Sequence, residues 1–239
     1  GLSIPALHRE NDPSYDFCDR AIENLCGQGF QEVCNYSLRA SSEINNWFPK
    51  IEADRIGLNN PLTAEHTHIR PSLLPGLIDA LSNNQKNLNS LSHVFETGRV
   101  FQPGPRGNIE LISVALAMFP KSLEREWKQT DNLDFFDLKR IINRFCHATA
   151  LNMPKDPWDS KLDSLPWQTK HASRKGDVHK NKIEISAGVI SLKLTKDRDI
   201  QGSVLAAEIL IDPILLIKKR KPLGFVSFSS FPPAMKDLA

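Results

Sequence analysis

Apolar positions along this chain switch between two periods. Cys18, Ala21, Ile22, Leu25 and Cys26 recur at i, i+3, i+4, i+7 and i+8, which places them on one face of a helix. Asp12-Pro13 marks its start, a capping carboxylate followed by proline at the first helical position, and Gly27 and Gly29 mark its end. Phe30 to Leu38 then predicts a short strand, and residues 59–71, punctuated by Pro61 and Pro71, a loop or irregular strand. Leu74, Leu77, Ile78 and Leu81 form the apolar stripe of a second helix that fades into the polar run 82–87. A third helix opens near Asp134 and carries Leu138, Ile142, Phe145, Cys146 and Thr149 at helical spacing.

The remaining apolar runs alternate. His93–Phe101 and Ile109–Phe119 predict two strands, the second with Ile112, Val114, Leu116 and Met118 on one face and Leu111, Ala115 and Ala117 on the other. Both faces are apolar, so this strand is expected to be covered on both sides. Residues 152–182 have the least regular pattern; after them Ile183–Ala187, Val189–Leu194, Val204–Ile211 and Phe225–Phe228 alternate like strands. Asp212-Pro213 starts a short helix with Ile214, Leu215 and Ile217. Without regular strand–helix–strand alternation, the pattern predicts an α+β fold, an antiparallel or mixed sheet flanked by helices.

Composition narrows the class. At 239 residues, 40% hydrophobic and 24% charged, the chain can bury a sizeable core without disulfides or metal. Its formal charge of +2 argues against a surface built throughout to grip nucleic acid. Cys18, Cys26, Cys34 and Cys146 include no C-x-x-C pair and read as small core thiols in a reducing cytoplasm. No run approaches the ~18 apolar residues of a membrane span. The start, Gly1-Leu2-Ser3-Ile4-Pro5, has neither signal-peptide regions nor an initiator Met, so we expect a processed or truncated intracellular chain.

Two blocks carry a family resemblance. Asn60-Pro61-Leu62-Thr63-x-Glu65 followed by Ile69-Arg70-Pro71-Ser72-Leu73-Leu74-Pro75-Gly76-Leu77, and then Val94-Phe95-Glu96-Thr97-Gly98-Arg99-Val100-Phe101, resemble the bacterial phenylalanyl-tRNA synthetase beta subunit. Weaker similarity extends through Gly29–Ser37, Asp134–Lys139, His179–Gly188 and Ala206-Ala207-Glu208-Ile209. The resemblance implies three parts: residues 1–10 as the tail of a preceding domain, 11–228 as a class II synthetase-like core, and 229–239 as the truncated start of a ferredoxin-like anticodon-binding domain.

Class II catalytic domains place cations where phosphate charge develops during adenylation. Their second motif, G-R-x-F-R-x-E, here reads Gly98-Arg99-Val100-Phe101-Gln102-Pro103-Gly104. The phosphate arginine is replaced by neutral Gln102 and the glutamate by Gly104, so Arg99, Gln102 and Gly104 are expected to be vestigial positions. No glycine-rich third motif ending in E-R follows, since residues 183–239 hold only Arg198 and Arg220 as arginines. The resemblance then implies a silent domain that docks on the catalytic alpha subunit in an (αβ)2 heterotetramer, with ATP and magnesium serving the whole enzyme and no cofactor in this domain. Arg70, Pro71, Leu73, Leu74, Leu77 and Ile78 match the dimer-forming first motif and are the expected interface, against their reading as ordinary core.

Two other functions compete: a stand-alone adenylating enzyme with a rearranged ATP site, and a tRNA-binding module using the basic stretch 170–182. In the second, Arg174, Lys175, Lys180 and Lys182, with Lys170, would meet phosphate. Signals with bland explanations are His66-x-His68, read as exposed loop residues rather than a metal site, and Lys218-Lys219-Arg220-Lys221, read as a solvated turn. The carboxylates Asp16 and Asp19, and Asp131, Asp134 and Asp137, suit helix starts.

Overall fold

The computed structural model describes residues 12–49, 56–87, 91–104, 107–120, 133–153, 165–175 and 183–217. The expected flanking pieces 1–10 and 229–239, the strand 225–228 and the basic turn 218–221 lie outside the described residues.

Helix α1 (Pro13–Gly27) starts as its sequence dictates: the Asp12 carboxylate accepts from the Ser14 N–H at 2.9 Å, with proline in the first turn. Its buried line is Phe17, Ala21 and Leu25; Cys18 and Ile22 are half-buried and Cys26 is exposed, so the stripe sits one position from the one expected. Phe17 takes the place expected of Cys18 because the larger ring buries more apolar area, meeting Phe145 edge-on at 6.4 Å. Cys34 is exposed as well, and only Cys146 is a core thiol.

The expected strand 30–38 resolves into β1 (Gln31–Glu32) and β2 (Leu38–Arg39), which belong to different sheets. A short helix that periodicity did not reveal, α2 (Ser41–Trp47), follows and buries Ile44 and Trp47. The loop region closes through β3 (His68–Ile69), antiparallel to β2. Helix α3 (Leu74–Lys86) runs on through the polar stretch, and β4 (His93–Gly104) and β5 (Gly107–Met118) form a long antiparallel hairpin. Helix α4 (Phe135–Ala148) opens on a capping box, with Asp134 and Asp137 each bonding the other's backbone.

Within the irregular-looking stretch lies β6 (Gln168–Lys175), which pairs with β7 (Glu184–Ile190) through register shifts. The expected strand 189–194 is instead the end of β7 followed by α5 (Leu192–Lys196), whose start the Ser191 hydroxyl caps. Strand β8 (Leu205–Ile211) and the short α6 (Ile214–Ile217) complete the described chain.

The six-stranded sheet has the order β1-β4-β5-β8-β7-β6, with β1 parallel to β4 and every other pair antiparallel. It is the mixed sheet flanked by helices that the pattern predicts. One face packs Ile112, Val114, Leu116, Ala207 and Ile209 against α1 and α4; the other packs Ala115, Ala117, Ala206 and Leu210 against α3 and Trp47. As expected of β5, both faces are covered. Burying each large aliphatic chain contributes about 1.5–3 kcal/mol, and α3 alone sinks Leu74, Leu77, Ile78 and Leu81 to zero exposure.

Candidate functional site

Arg70, Ser72, Leu73, Glu96 and Glu208, all within the segments that carry the family resemblance, meet on one face of the sheet, beneath the start of α3. Directly opposed residues on neighbouring strands project to the same side. Glu96 on β4 opposes Ala115 on β5, which opposes Glu208 on β8, which opposes Ser186 on β7. This row crosses the centre of the sheet, and two of its members are buried carboxylates.

Glu96 holds the segment leading into α3. Arg70 Nη1 donates to Glu96 Oε1 at 2.6 Å and to the Asn35 carbonyl at 3.2 Å, and Arg70 Nε donates to the Arg99 carbonyl at 3.3 Å. Asn35 Nδ2 donates to the other oxygen of Glu96 at 2.6 Å. The buried pair is therefore hydrogen-bonded as well as charge-matched, the condition for tolerating ions in a dry interior. Gly98 makes room for it: a methyl there would stand 2.7 Å from the Arg70 guanidinium.

Glu208 completes the helix itself. Residue 73, the cap position of α3, is leucine and offers no side-chain acceptor. In its place Glu208 accepts from the Leu73 N–H at 2.9 Å, the Ser72 hydroxyl at 2.8 Å and the Ser113 hydroxyl at 2.7 Å. The Leu74 N–H donates in turn to Ser72 Oγ at 3.1 Å. A carboxylate facing a helix N-terminus has favourable dipole placement. Burial nevertheless dominates and pushes the Glu208 carboxyl above its ordinary value; the three donors oppose this and nearby Glu184 adds to it.

The positions of the second class II motif are occupied by internal contacts. Arg99 is paired with Glu110, and with Asp12 at 3.8 Å. Gln102 donates from Nε2 to the Pro71 carbonyl at 2.9 Å, and Gly104 closes the β4–β5 hairpin opposite Gly107. A neutral amide already engaged in this way brings no positive charge to a phosphate.

The structure corrects the expected interface. Arg70, Pro71, Leu73, Leu74, Leu77 and Ile78 are all buried within this chain, the four aliphatic side chains at 0–1% exposure. They are core, and they leave no surface for a partner. Among the expected tRNA contacts, Arg174 and Lys175 lie on β6 at the edge of the sheet, whereas Lys180 and Lys182 lie outside the described residues. His68 Nδ1 is 2.8 Å from its neighbour's hydroxyl, Thr67 Oγ1, while the His66 ring lies 4.6 Å from that of Tyr36. No group of three metal-ligating side chains occurs among the described residues.

Sequence reasoning gave no role to Arg39, Glu43, Asp79 and Arg198. Arg39 reaches Asp79 at 2.5 Å and Glu43 at 3.5 Å; Arg198 reaches Asp79 at 2.6 Å, pairs with Glu43 and lies over the Trp47 ring at 5.4 Å. This quartet fastens α2 to α3 and to the turn after α5. Burial raises the Glu43 carboxyl despite both arginines. Among the described residues no helix is long and apolar enough to cross a membrane.

Comparison with known proteins shows the family and the fold. A family model, the phenylalanyl tRNA synthetase beta chain CLM domain, matches residues 3–211. The phenylalanine–tRNA ligase beta subunit of Gloeobacter violaceus is 28% identical over 232 residues, covering 95% of this chain and 27% of that protein. The beta subunit of Francisella tularensis is 26% identical over 229 residues, again 95% of this chain and 27% of the relative. The chain thus spans about a quarter of the length of the curated relatives it matches. Among solved structures, the pyrrolysyl-tRNA synthetase of Desulfitobacterium hafniense aligns with a TM-score of 0.61 at 16% identity, covering 86% of this chain and 69% of that one. A second structure, of PylSc from the same organism, gives 0.57 at 14% identity over 85% of this chain and 66% of that one. These structures share the class II-like fold.

Proposed function

The chain belongs to the family of the phenylalanyl tRNA synthetase beta chain CLM domain, and from that premise we propose that it is a synthetase-shaped scaffold without adenylation chemistry of its own. On this reading it docks on the catalytic alpha subunit of a phenylalanine–tRNA ligase, in a cytoplasmic (αβ)2 heterotetramer. ATP and magnesium act in the assembled enzyme and not on this domain.

The observation that carries the reading is what has become of the second-motif positions. Adenylation needs preorganised positive charge where the phosphate charge develops. Here that position is Gln102, its amide held by the Pro71 carbonyl, and Arg99 is engaged by two carboxylates. The sheet face bearing Glu96 is filled by the 70–74 segment and α3, which two buried glutamates hold in place.

Two assays test it together. The chain alone should give no magnesium-dependent ATP–pyrophosphate exchange above a blank, and should be retained by a tagged alpha subunit. Exchange by the chain alone would establish the adenylating alternative, and failure to be retained would refute the scaffold. The tRNA reading attaches to the edge strand β6, whose residues 168–175 include three Lys or Arg and no acidic side chains. It predicts tRNA binding by the chain that weakens steeply with salt and is lost on neutralising Lys175 and Lys180.

A further inference from the structure

Helix α2 and the segment leading into it are tied to the molecule at two ends of different character. The inner end is the buried Arg70–Glu96 pair: Asn35 Nδ2 donates to Glu96 at 2.6 Å, and the Arg70 N–H donates to the Ser37 carbonyl at 2.9 Å. The outer end is the Arg39–Glu43–Asp79–Arg198 quartet, whose side chains keep 14–35% exposure against 3–9% for Arg70 and Glu96. Between them the chain crosses α3 at Gly76, where a methyl would stand 2.5 Å from Arg39 Nη2 and 2.8 Å from Asn35 Cβ.

Beyond the quartet, α2 is held by the burial of Ile44 and Trp47 and of Phe48 after it. Its seven residues fall short of the ~12–15 that a helix needs to stand alone, and Ala40 at its cap offers no side-chain acceptor. The closed arrangement also carries two costs that water would remove. Trp47 Nε1 is buried without a hydrogen-bond partner, and burial disfavours the charge on Glu43. A cleft of about 340 Å³, bounded by Ser42, Asn46 and Trp47, by Asp79 of α3 and by Asp197 after α5, already separates α2 from its neighbours on one side.

We infer that residues 40–48 are a strap that opens at the quartet while the Arg70–Glu96 anchor and the sheet stay closed, uncovering Trp47 and the adjoining face of α3. This holds independently of the scaffold reading. Local openings of this kind lie below global unfolding in free energy and expose less surface, so they respond weakly to denaturant.

Native-state hydrogen exchange of the chain in dilute urea tests it. The Ile44 and Phe48 amides, which donate to the Ala40 and Ile44 carbonyls, report on the strap; Arg70 reports on the inner anchor and Val114 on the central strand β5. In wild type, Ile44 and Phe48 should exchange at least about tenfold faster than Arg70 and Val114, with a weaker dependence on urea. Arg198→Ala, which removes both of that residue's ion pairs and the cation over Trp47, should speed Ile44 and Phe48 by at least about tenfold. Asp134→Ala weakens α4, whose contacts survive an open strap, so it should speed Val114 by about fivefold and leave Ile44 and Phe48 unchanged. Exchange of Ile44 and Phe48 at the Val114 rate and urea dependence, or their acceleration together with Val114 in Asp134→Ala, would overturn the strap, since α2 would then open only with the whole fold. The wild-type urea series decides this even if Arg198→Ala does not fold.

Discussion

Replacing Glu208 by alanine and by glutamine separates two things the buried carboxylate does, accepting hydrogen bonds and carrying charge. Alanine strands the Leu73 N–H, a fixed donor in a buried site, at a cost of roughly 1–3 kcal/mol. The Ser72 and Ser113 hydroxyls can rotate, and we assign them about 1 kcal/mol each, so Glu208→Ala should lose roughly 3–5 kcal/mol. Glutamine keeps one acceptor oxygen and removes the buried charge, and should cost less than about 1.5 kcal/mol at neutral pH. The two also differ in pH dependence. Burial raises the Glu208 carboxyl in the folded state above its unfolded value, so the ionised form is the one the fold disfavours. Its stability contribution is therefore full below the unfolded value and is lost as pH rises through the folded one. Urea unfolding followed by circular dichroism at pH 5 and pH 7.5 reads both effects. Wild type should gain on Glu208→Gln as pH falls. The reasoning fails if Glu208→Ala lies within about 1 kcal/mol of wild type, or if the wild-type advantage over glutamine grows with rising pH.

Arg70→Met leaves Glu96 buried without its cation and should destabilise by about 3–5 kcal/mol. Adding Glu96→Leu should recover part of that loss, a coupling measured by a double-mutant cycle in urea. Asp134→Ala removes the capping box of α4 and should cost about 1 kcal/mol in the same assay. In the native protein Cys26 and Cys34 should react readily with a thiol reagent, whereas Cys146, whose thiol burial pushes up to about 12, should react only on unfolding.

The longer elements were legible because their patterns are redundant. Asp12-Pro13 and the apolar line behind it fix α1, and the double-sided apolar pattern of β5 announces a strand with a layer on each face. What pattern could not supply was the meaning of a polar residue inside an apolar strand. Glu96 and Glu208 stand in Val-Phe-Glu-Thr and Ala-Ala-Glu-Ile, where alternation alone gives no sign that each holds a segment far away in the chain. A glutamate amid residues destined for burial was the available signal. The interface was misplaced for a related reason: the leucines of α3 suit a partner's surface and their own core equally well until the sheet is seen beneath them. Strand β6 was missed because Thr-Lys-His-Ala-Ser-Arg-Lys has no apolar alternation, the composition of a charged edge.

The cap on α3 also orders events during synthesis. Leu73 and the carboxylate that satisfies it are 135 residues apart. At about 5–20 residues per second, the ribosome makes α3 roughly 7 to 27 s before it makes that cap. Until then the helix has its apolar stripe but neither its anchor nor the central strand β8 on which it rests. The nascent chain therefore holds an unfinished helix throughout that interval, and a chaperone that shields Leu74, Leu77 and Ile78 would find its longest opportunity there.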